Sequence, residues 1–365
     1  MKAKTIQALA QKGRKLVFPL VSIVLALAIS AIIIQLIGCD TLLALRCLLE
    51  GGFGSLNAIS ETLVKATSLI FMALSFAFAQ RSGMYNLGGM GQFYIGAIFG
   101  GWVGINLTLP AALHIPLMLL CGFVGGALFA LLPAILRIRL GANELISTIM
   151  FNSVATQILS MFVSGPMKDP NSVNGASQSC LMQDSVKLPT LFSGVRLHLG
   201  FLLALAALLI FWFFYARCTR GFEVRVVGMN PQVAQYAGMN IRGNQLVAML
   251  IGGGLAGIGG CIELMSVQSR LVQGFSASLS FQGISVALLG DCTPVGIFLS
   301  SVLYGALNAG SGRMQMLAKV PASALEITQS LIILFLAGRE IFRYVDRQKL
   351  RGMLLRGKRK EASHV

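Results

Sequence analysis

Residues 17–38 run for 22 positions without a charged side chain, and apolar runs recur along the whole chain at 61–80, 93–107, 109–135, 141–163, 200–215, 246–265 and 322–337. Two shorter runs lie at 281–290 and 295–309. A helix of roughly 20 apolar residues matches the ~30 Å hydrocarbon core of a bilayer. Inside that core each backbone polar group must be satisfied, which leaves helices or closed barrels. A barrel would read as alternating segments of ~10 residues, a pattern this chain lacks. The expectation is an all-α, polytopic integral membrane protein with about ten transmembrane helices, some of them broken by glycine. A charged fraction of 12% agrees, since a soluble domain carries about twice that.

The first run is longer than the ~7–15-residue core of a secretory signal and reads as a spanning helix. Leu36-Ile37-Gly38-Cys39 resembles a lipoprotein cleavage site, but the sequence beyond Cys39 is no secreted domain. Residues 39–60 read as a loop. Glu61 and Lys65 open the next span as an i,i+4 pair at the interface. The seven cysteines are scattered and odd in number, so they indicate neither a disulfide framework nor a metal site.

Polar residues interrupt the apolar pattern at a few places. Gly83, Gly88, Gly89 and Gly91 surround Asn86 and Gln92. Broken backbone of this kind is tolerated at membrane depth where it faces protein or a water-filled cavity. Glu144, Thr148 and Asn152 step by four residues and share one helix face, which should point inward. Gln282 and Asp291 belong to the paired short runs, either a tight hairpin or a broken helix of the type that marks transport pathways. Asp291 faces a cavity or partner, or else reaches the interface. Asn86, Gln92, Glu144, Thr148, Asn152, Gln282 and Asp291 are therefore candidates for a solute path. For Asn86, Gln92 and Asn152 the competing reading is that they only hold backbone and neighbouring helices together. Gly252-x-Gly254-x-x-Gly257 matches a dinucleotide fingerprint in form, but it lies inside a span and reads as a packing face.

Between two spans lies a polar island at 217–243. Asn230 suits an N-cap, Pro231 the first helical position and Gly238 a left-handed C-cap, which predicts a helix over 231–237. Two turns are marginal alone, so something must hold them. The net charge of +16 suggests nucleic acid, but basic residues cluster at segment ends. With ten spans, 21 of the 29 Lys and Arg residues fall on the side of the termini and the island. The positive-inside rule places that side in the cytoplasm. The reading is a basic cytoplasmic N-terminus at 1–16, a transmembrane domain at 17–337 containing the cytoplasmic loop, and a basic tail at 338–365. No nucleic-acid partner is expected.

The chain has no P-loop, zinc-protease or nucleophile-elbow motif and no paired catalytic groups, so it is not expected to be an enzyme. Its intramembrane polar groups are mostly uncharged, unlike the relay of a proton pump. The stretches RSGMYNLGGMGQFYIGA, GANELISTIMFN, GFEVRVVGMNPQVAQYAGMN and FQGISVALLGDCTPVGI, in that order across about 61–337, resemble permease subunits of bacterial ABC importers for nucleosides and simple sugars. These belong to the larger group of ribose and branched-chain amino-acid permeases. The Asn143–Thr148 and Asn86–Gln92 stretches look most like the nucleoside branch. Met90 departs from the acidic residue usual at its position.

The resemblance implies a multi-pass protein of the bacterial cytoplasmic membrane, surrounded by lipid. It also implies a separate ABC ATPase that binds ATP, a second permease subunit in a heterodimer and an extracytoplasmic solute-binding lipoprotein. This chain itself would carry no cofactor. The island would be the ATPase contact, with Gly221, Glu223, Arg225, Gly228, Asn230, Pro231, Tyr236 and Gly238 in the coupling segment. Of these, Glu223, Arg225 and Tyr236 are the side chains expected to touch the partner. The alternative is a stand-alone secondary transporter or channel for a small polar solute.

Overall fold

The computed structural model describes residues 24–170, 177–192, 194–276, 278–321 and part of 323–335. The expected basic leader and tail lie outside the described residues. The chain separates into two units, residues 1–47 with 311–365, and residues 48–310.

In the first unit α1, Val24–Leu36, leads into α2, Thr41–Phe53, which continues into the second unit. The expected loop at 39–60 is thus mostly helix. Asp40 starts it, its Oδ1 accepting from the amides of Leu42 and Leu43 at 3.0 and 3.1 Å. The leucine-rich sequence beyond Asp40 then favours propagation.

The second unit contains α3 (Leu56–Arg81), α4 (Gly89–Asn106), α5 (Ala111–Leu140), α6 (Glu144–Ser164), α7 (Gly200–Arg217), α8 (Thr219–Met229), α9 (Pro231–Tyr236), α10 (Ile241–Glu263) and α11 (Leu279–Leu289). A twelfth helix, α12, covers Pro294–Ala318. Among the described residues six helices are long and apolar enough to cross a membrane: α3, α5, α6, α7, α12, and α10 with its π-helical extension to Gln268. No regular strand occurs among the described residues, only isolated bridges such as Lys168 with Ser179.

Glycine organises the centre of this unit. A Cβ on Gly257 of α10 would lie 2.1 Å from the Gly122 carbonyl oxygen of α5 and 3.1 Å from the Gly126 Cα. Only a residue without a side chain allows the two backbones to meet, which is how membrane helices gain packing where the hydrophobic effect gives none. The apparent dinucleotide fingerprint is therefore part of a helix seam. α3 runs antiparallel to α10, with Ser75 opposite Gly252 and Phe71 opposite Gly259, and is buried along most of its length. The outer helices α6 and α7 expose Ile146, Met150, Met161, Leu209, Ile210 and Phe213, an apolar surface suited to lipid tails.

Further expectations change. The run at 295–309 and the loop after it join in one long helix, because Thr293 caps α12 through the Gly296 amide at 3.2 Å and Pro294 occupies the first helical position. α11 stays short at 11 residues, about 16 Å, so it is a half-length helix. Glu61 does not pair with Lys65; it binds Arg196 at 2.6 Å.

Candidate functional site

Three polar arrangements lie in the second unit. The first is the glycine break between α3 and α4. Asn86 Nδ2 donates to Gln92 Oε1 at 2.8 Å, and Gln92 Nε2 donates back to Asn86 Oδ1 at 2.9 Å. Asn86 Oδ1 also accepts from the Gly88 amide at 3.0 Å. From α6, Asn152 accepts from the Gly91 amide at 2.8 Å and donates to the Leu87 carbonyl at 2.9 Å. Thr148 donates back to the Glu144 carbonyl at 2.6 Å. An unpaired backbone group away from water costs several kcal/mol, and these side chains remove that cost where the helix is interrupted. The stripe on α6 does face inward, with Glu144, Thr148 and Asn152 buried. Glu144 Oε2 pairs with Arg137 Nε at 3.1 Å at the end of α5.

The second arrangement is a cavity of about 230 Å³ between α3, α10, α11 and α12. Its lining includes Lys65, Ser68, Glu263, Ser276, Gln282 and Asn308. Glu263 is the last residue of α10, where the helix widens into the π turn Leu264–Gln268. Such turns recur at functional sites. Glu263 is 3% exposed, and each carboxylate oxygen accepts a serine hydroxyl, Ser68 at 2.5 Å and Ser276 at 3.1 Å. Asn308 Nδ2 donates to Gln282 Oε1 at 2.8 Å. The site therefore offers an ammonium group, a carboxylate, hydroxyls and amides within one enclosure, with no ring among its lining residues. Of the expected path residues it contains Gln282 alone. Sequence reasoning misses Glu263 because it sits in an otherwise apolar run, although a carboxylate inside a span is itself a functional signal.

The third arrangement is the island. It contains two helices rather than one. The capping residues act as expected: Asn230 Oδ1 accepts from the Gln232 and Val233 amides at 3.0 and 3.2 Å, and Gly238 is left-handed at φ +75°. α8 packs on the bundle through its glycines. A Cβ on Gly221 would fall 1.9 Å from the Phe214 carbonyl oxygen, and one on Gly228 would fall 2.2 Å from that of Arg81. Glu223 turns inward and accepts from Asn244 Nδ2 of α10 at 3.0 Å, so it links α8 to the bundle. Arg225 and Tyr236 face outward, Tyr236 at 95% exposure.

Beside α8, Arg81 ties several elements together. Its guanidinium donates to the Cys292 carbonyl at 2.9 Å and lies 5.4 and 5.0 Å from the ring centroids of Phe211 and Tyr215. Asp291, at the exposed α11–α12 turn, has a left-handed backbone at φ 52°, as does Cys292 at φ 49°. The structure thus places Asp291 at the island's end of the bundle, away from the cavity. α3 carries Lys65 and Ser68 near its middle and Arg81 at its C-terminal end. α10 carries Glu263 at one end and Asn244 at the other. The cavity and the island are thus set well apart along the same two helices, about 20 Å from Ser68 to Arg81 along α3.

A family model described as branched-chain amino acid transport system / permease component matches residues 58–337. The chain is 36% identical over 331 residues to the guanosine ABC transporter permease protein NupP of Bacillus subtilis, covering 90% of this chain and 95% of that protein. It is 32% identical over 335 residues to a glucose ABC transporter permease protein of Haloferax volcanii, covering 89% and 88%. The second guanosine ABC transporter permease protein of Bacillus subtilis, NupQ, is 26% identical over 264 residues, covering 68% and 79%. The match covers the glycine break, the cavity and the island together, and this multi-pass membrane protein belongs to the branched-chain amino acid transport system permease component family, as a permease of the ABC transporter type.

Proposed function

We propose that the chain forms the solute path of an ATP-driven importer for nucleosides or related sugars, and that α8 and α9 receive force from a separate ATPase. The observation that carries this reading is the separation of the polar cavity from the exposed island along α3 and α10, with Ser68 at mid-α3 and Glu263 at the end of α10 on one side and Arg81 and Asn244 on the other. A cavity of about 230 Å³ suits a small polar solute or part of one, and its hydroxyls, amides and charges complement a sugar's hydroxyl groups. The names of the relatives support guanosine or glucose as the solute class.

The island supports cytoplasmic placement of α8 and α9, because Arg217, Arg220, Arg225 and Arg242 cluster there. Arg225 and Tyr236 are the side chains offered to the ATPase. In this reading α1, α4, α11 and the apolar run at 322–337 join the six long helices to give ten membrane segments, α11 as a half-helix. Two permease proteins from one organism's guanosine system resemble this chain to different degrees, which supports a heterodimer with a second permease. An extracytoplasmic binding protein would deliver solute to the cavity end.

Uptake of radiolabelled guanosine, uridine and glucose by cells lacking the gene tests the reading. Loss of nucleoside or glucose uptake, restored by the intact gene, is the expected result. Unchanged uptake of all three would overturn the solute assignment.

A further inference from the structure

A second cavity, of about 410 Å³, lies between the C-terminal end of α5 and the N-terminal end of α10. Its walls are Leu131, Ile135, Ile138 and Leu246, and its mouth carries Arg139, Arg242 and Asn240. Neither guanidinium has an ion-pair or hydrogen-bond partner among the described residues, and both are exposed. The neighbouring Arg137 is engaged by Glu144. Asn240 spends its side-chain oxygen on the Gly243 amide at 2.9 Å to cap α10, so its amide nitrogen is a further donor at the mouth. Two cations and a donor thus stand over an apolar trough.

We propose that this trough binds an anionic phospholipid, with the phosphate on Arg139 and Arg242 and an acyl chain along Leu131, Ile135, Ile138 and Leu246. The depth of the trough selects this occupant. Leu131 and Arg139 are eight residues apart on α5, about 12 Å along the axis. The apolar walls therefore run well into a membrane-spanning helix, which a water-soluble partner at the helix end does not follow. A neutral polar solute has no use for two unpaired guanidinium groups, whereas planar guanidinium donors match phosphate oxygens. Basic pockets at the ends of membrane helices act on anionic headgroups in this way, at about fivefold in affinity for each basic residue near the surface.

The test uses the whole transporter, purified and delipidated, then reconstituted in nanodiscs of phosphatidylcholine alone or with phosphatidylglycerol. Native mass spectrometry counts the lipids that remain bound. The wild type is expected to retain phosphatidylglycerol in preference to phosphatidylcholine. Arg139→Gln combined with Arg242→Gln should weaken that retention about 30-fold. Arg217→Gln, on α7 outside the trough, should leave it unchanged, and the paired Lys substitutions should restore most of it. The thermal midpoint should rise with phosphatidylglycerol in the wild type and not in the double Gln variant. Equal retention in wild type and double Gln variant would overturn the site. Displacement of the lipid by millimolar inorganic phosphate would overturn the acyl-chain part and leave a simple anion site.

Discussion

Gly228→Ala adds one methyl group at the contact between α8 and α3. The new Cβ would stand 2.2 Å from the Arg81 carbonyl oxygen, 2.8 Å from its carbon and 2.9 Å from the Gly83 nitrogen. All three are backbone atoms and cannot rotate away. Normal contact requires a shift on the order of 1 Å, which must displace α8 or the end of α3. The end of α3 carries the Arg81 hydrogen bond to Cys292 at 2.9 Å, so a shift there also moves the α11–α12 turn. Overpacking of this kind costs about 1–3 kcal/mol, or roughly 5- to 150-fold in the balance between conformers.

The assay is transport per ATP hydrolysed by the whole transporter in proteoliposomes, together with its thermal midpoint. Gly228→Ala should insert normally, melt earlier and transport at least about fivefold less per ATP. Gly312→Ala is the comparison, since none of the described residues lies within 4 Å of a Cβ at that position. As a helical glycine it should be neutral or gain up to ~1 kcal/mol. Wild-type transport and melting in Gly228→Ala would refute the claim that this contact carries motion from the island to the bundle.

Glu263→Gln keeps the shape that Ser68 and Ser276 bind but removes the charge from the cavity, so uptake should fall while assembly with the ATPase, measured by co-purification, is preserved. Tyr236→Ala removes the most exposed ring on α9 and should leave the thermal midpoint unchanged. It should weaken ATPase binding in a titration by about 2 kcal/mol if the ring is an interface anchor. His198 gives a pH signature. Burial, with Arg196 adding to it, pushes the ring down to about 4 from the usual 6.5, and its Nε2 is buried without a hydrogen-bond partner among the described residues. The folded state therefore prefers the neutral ring, and the unfolded chain takes the proton first as pH falls. Stability should be intact above pH 6.5 and decline between about 6.5 and 4. His198→Gln should flatten that decline when thermal midpoints are compared across the range.

The parts legible in the sequence are those set by short-range physics. The length of apolar runs predicts helices because bilayer thickness fixes a scale. Asn230, Pro231 and Gly238 can be assigned as caps because each acts on backbone within three residues of itself. Asp40 can be read the same way, and α2 escapes only because its single charges at Arg46 and Glu50 resemble a loop. α8 is a different case. Its Gly221 and Gly228 look like helix breakers, yet both are required by backbone from α7 and α3, partners that no local pattern identifies. Glu223 looks like an exposed docking charge until Asn244, 21 residues away, claims it.

The same limit explains the cavity. Glu263 is joined by Ser68, Ser276, Gln282 and Asn308 from four other segments. Their meeting depends on how deeply α3 and α10 overlap, and that overlap is set by the glycine contacts at Gly252 and Gly259. Asn86, Gln92 and Asn152 are equally polar in sequence, but Asn86 and Asn152 bond the interrupted backbone between α3 and α4, and Gln92 is taken up by Asn86. A polar residue in a membrane span thus has two uses, repairing backbone or facing a cavity, and the neighbouring backbone decides between them. At the glycine break Asn86 and Asn152 bond backbone left open by the interrupted helix, and Gln92 holds Asn86 in place. At Glu263 the preceding helix is intact and no broken segment needs the carboxylate, which leaves it to the cavity. That difference makes Glu263, more than Asn86 or Gln92, the position where substitution should change transport without first weakening the fold.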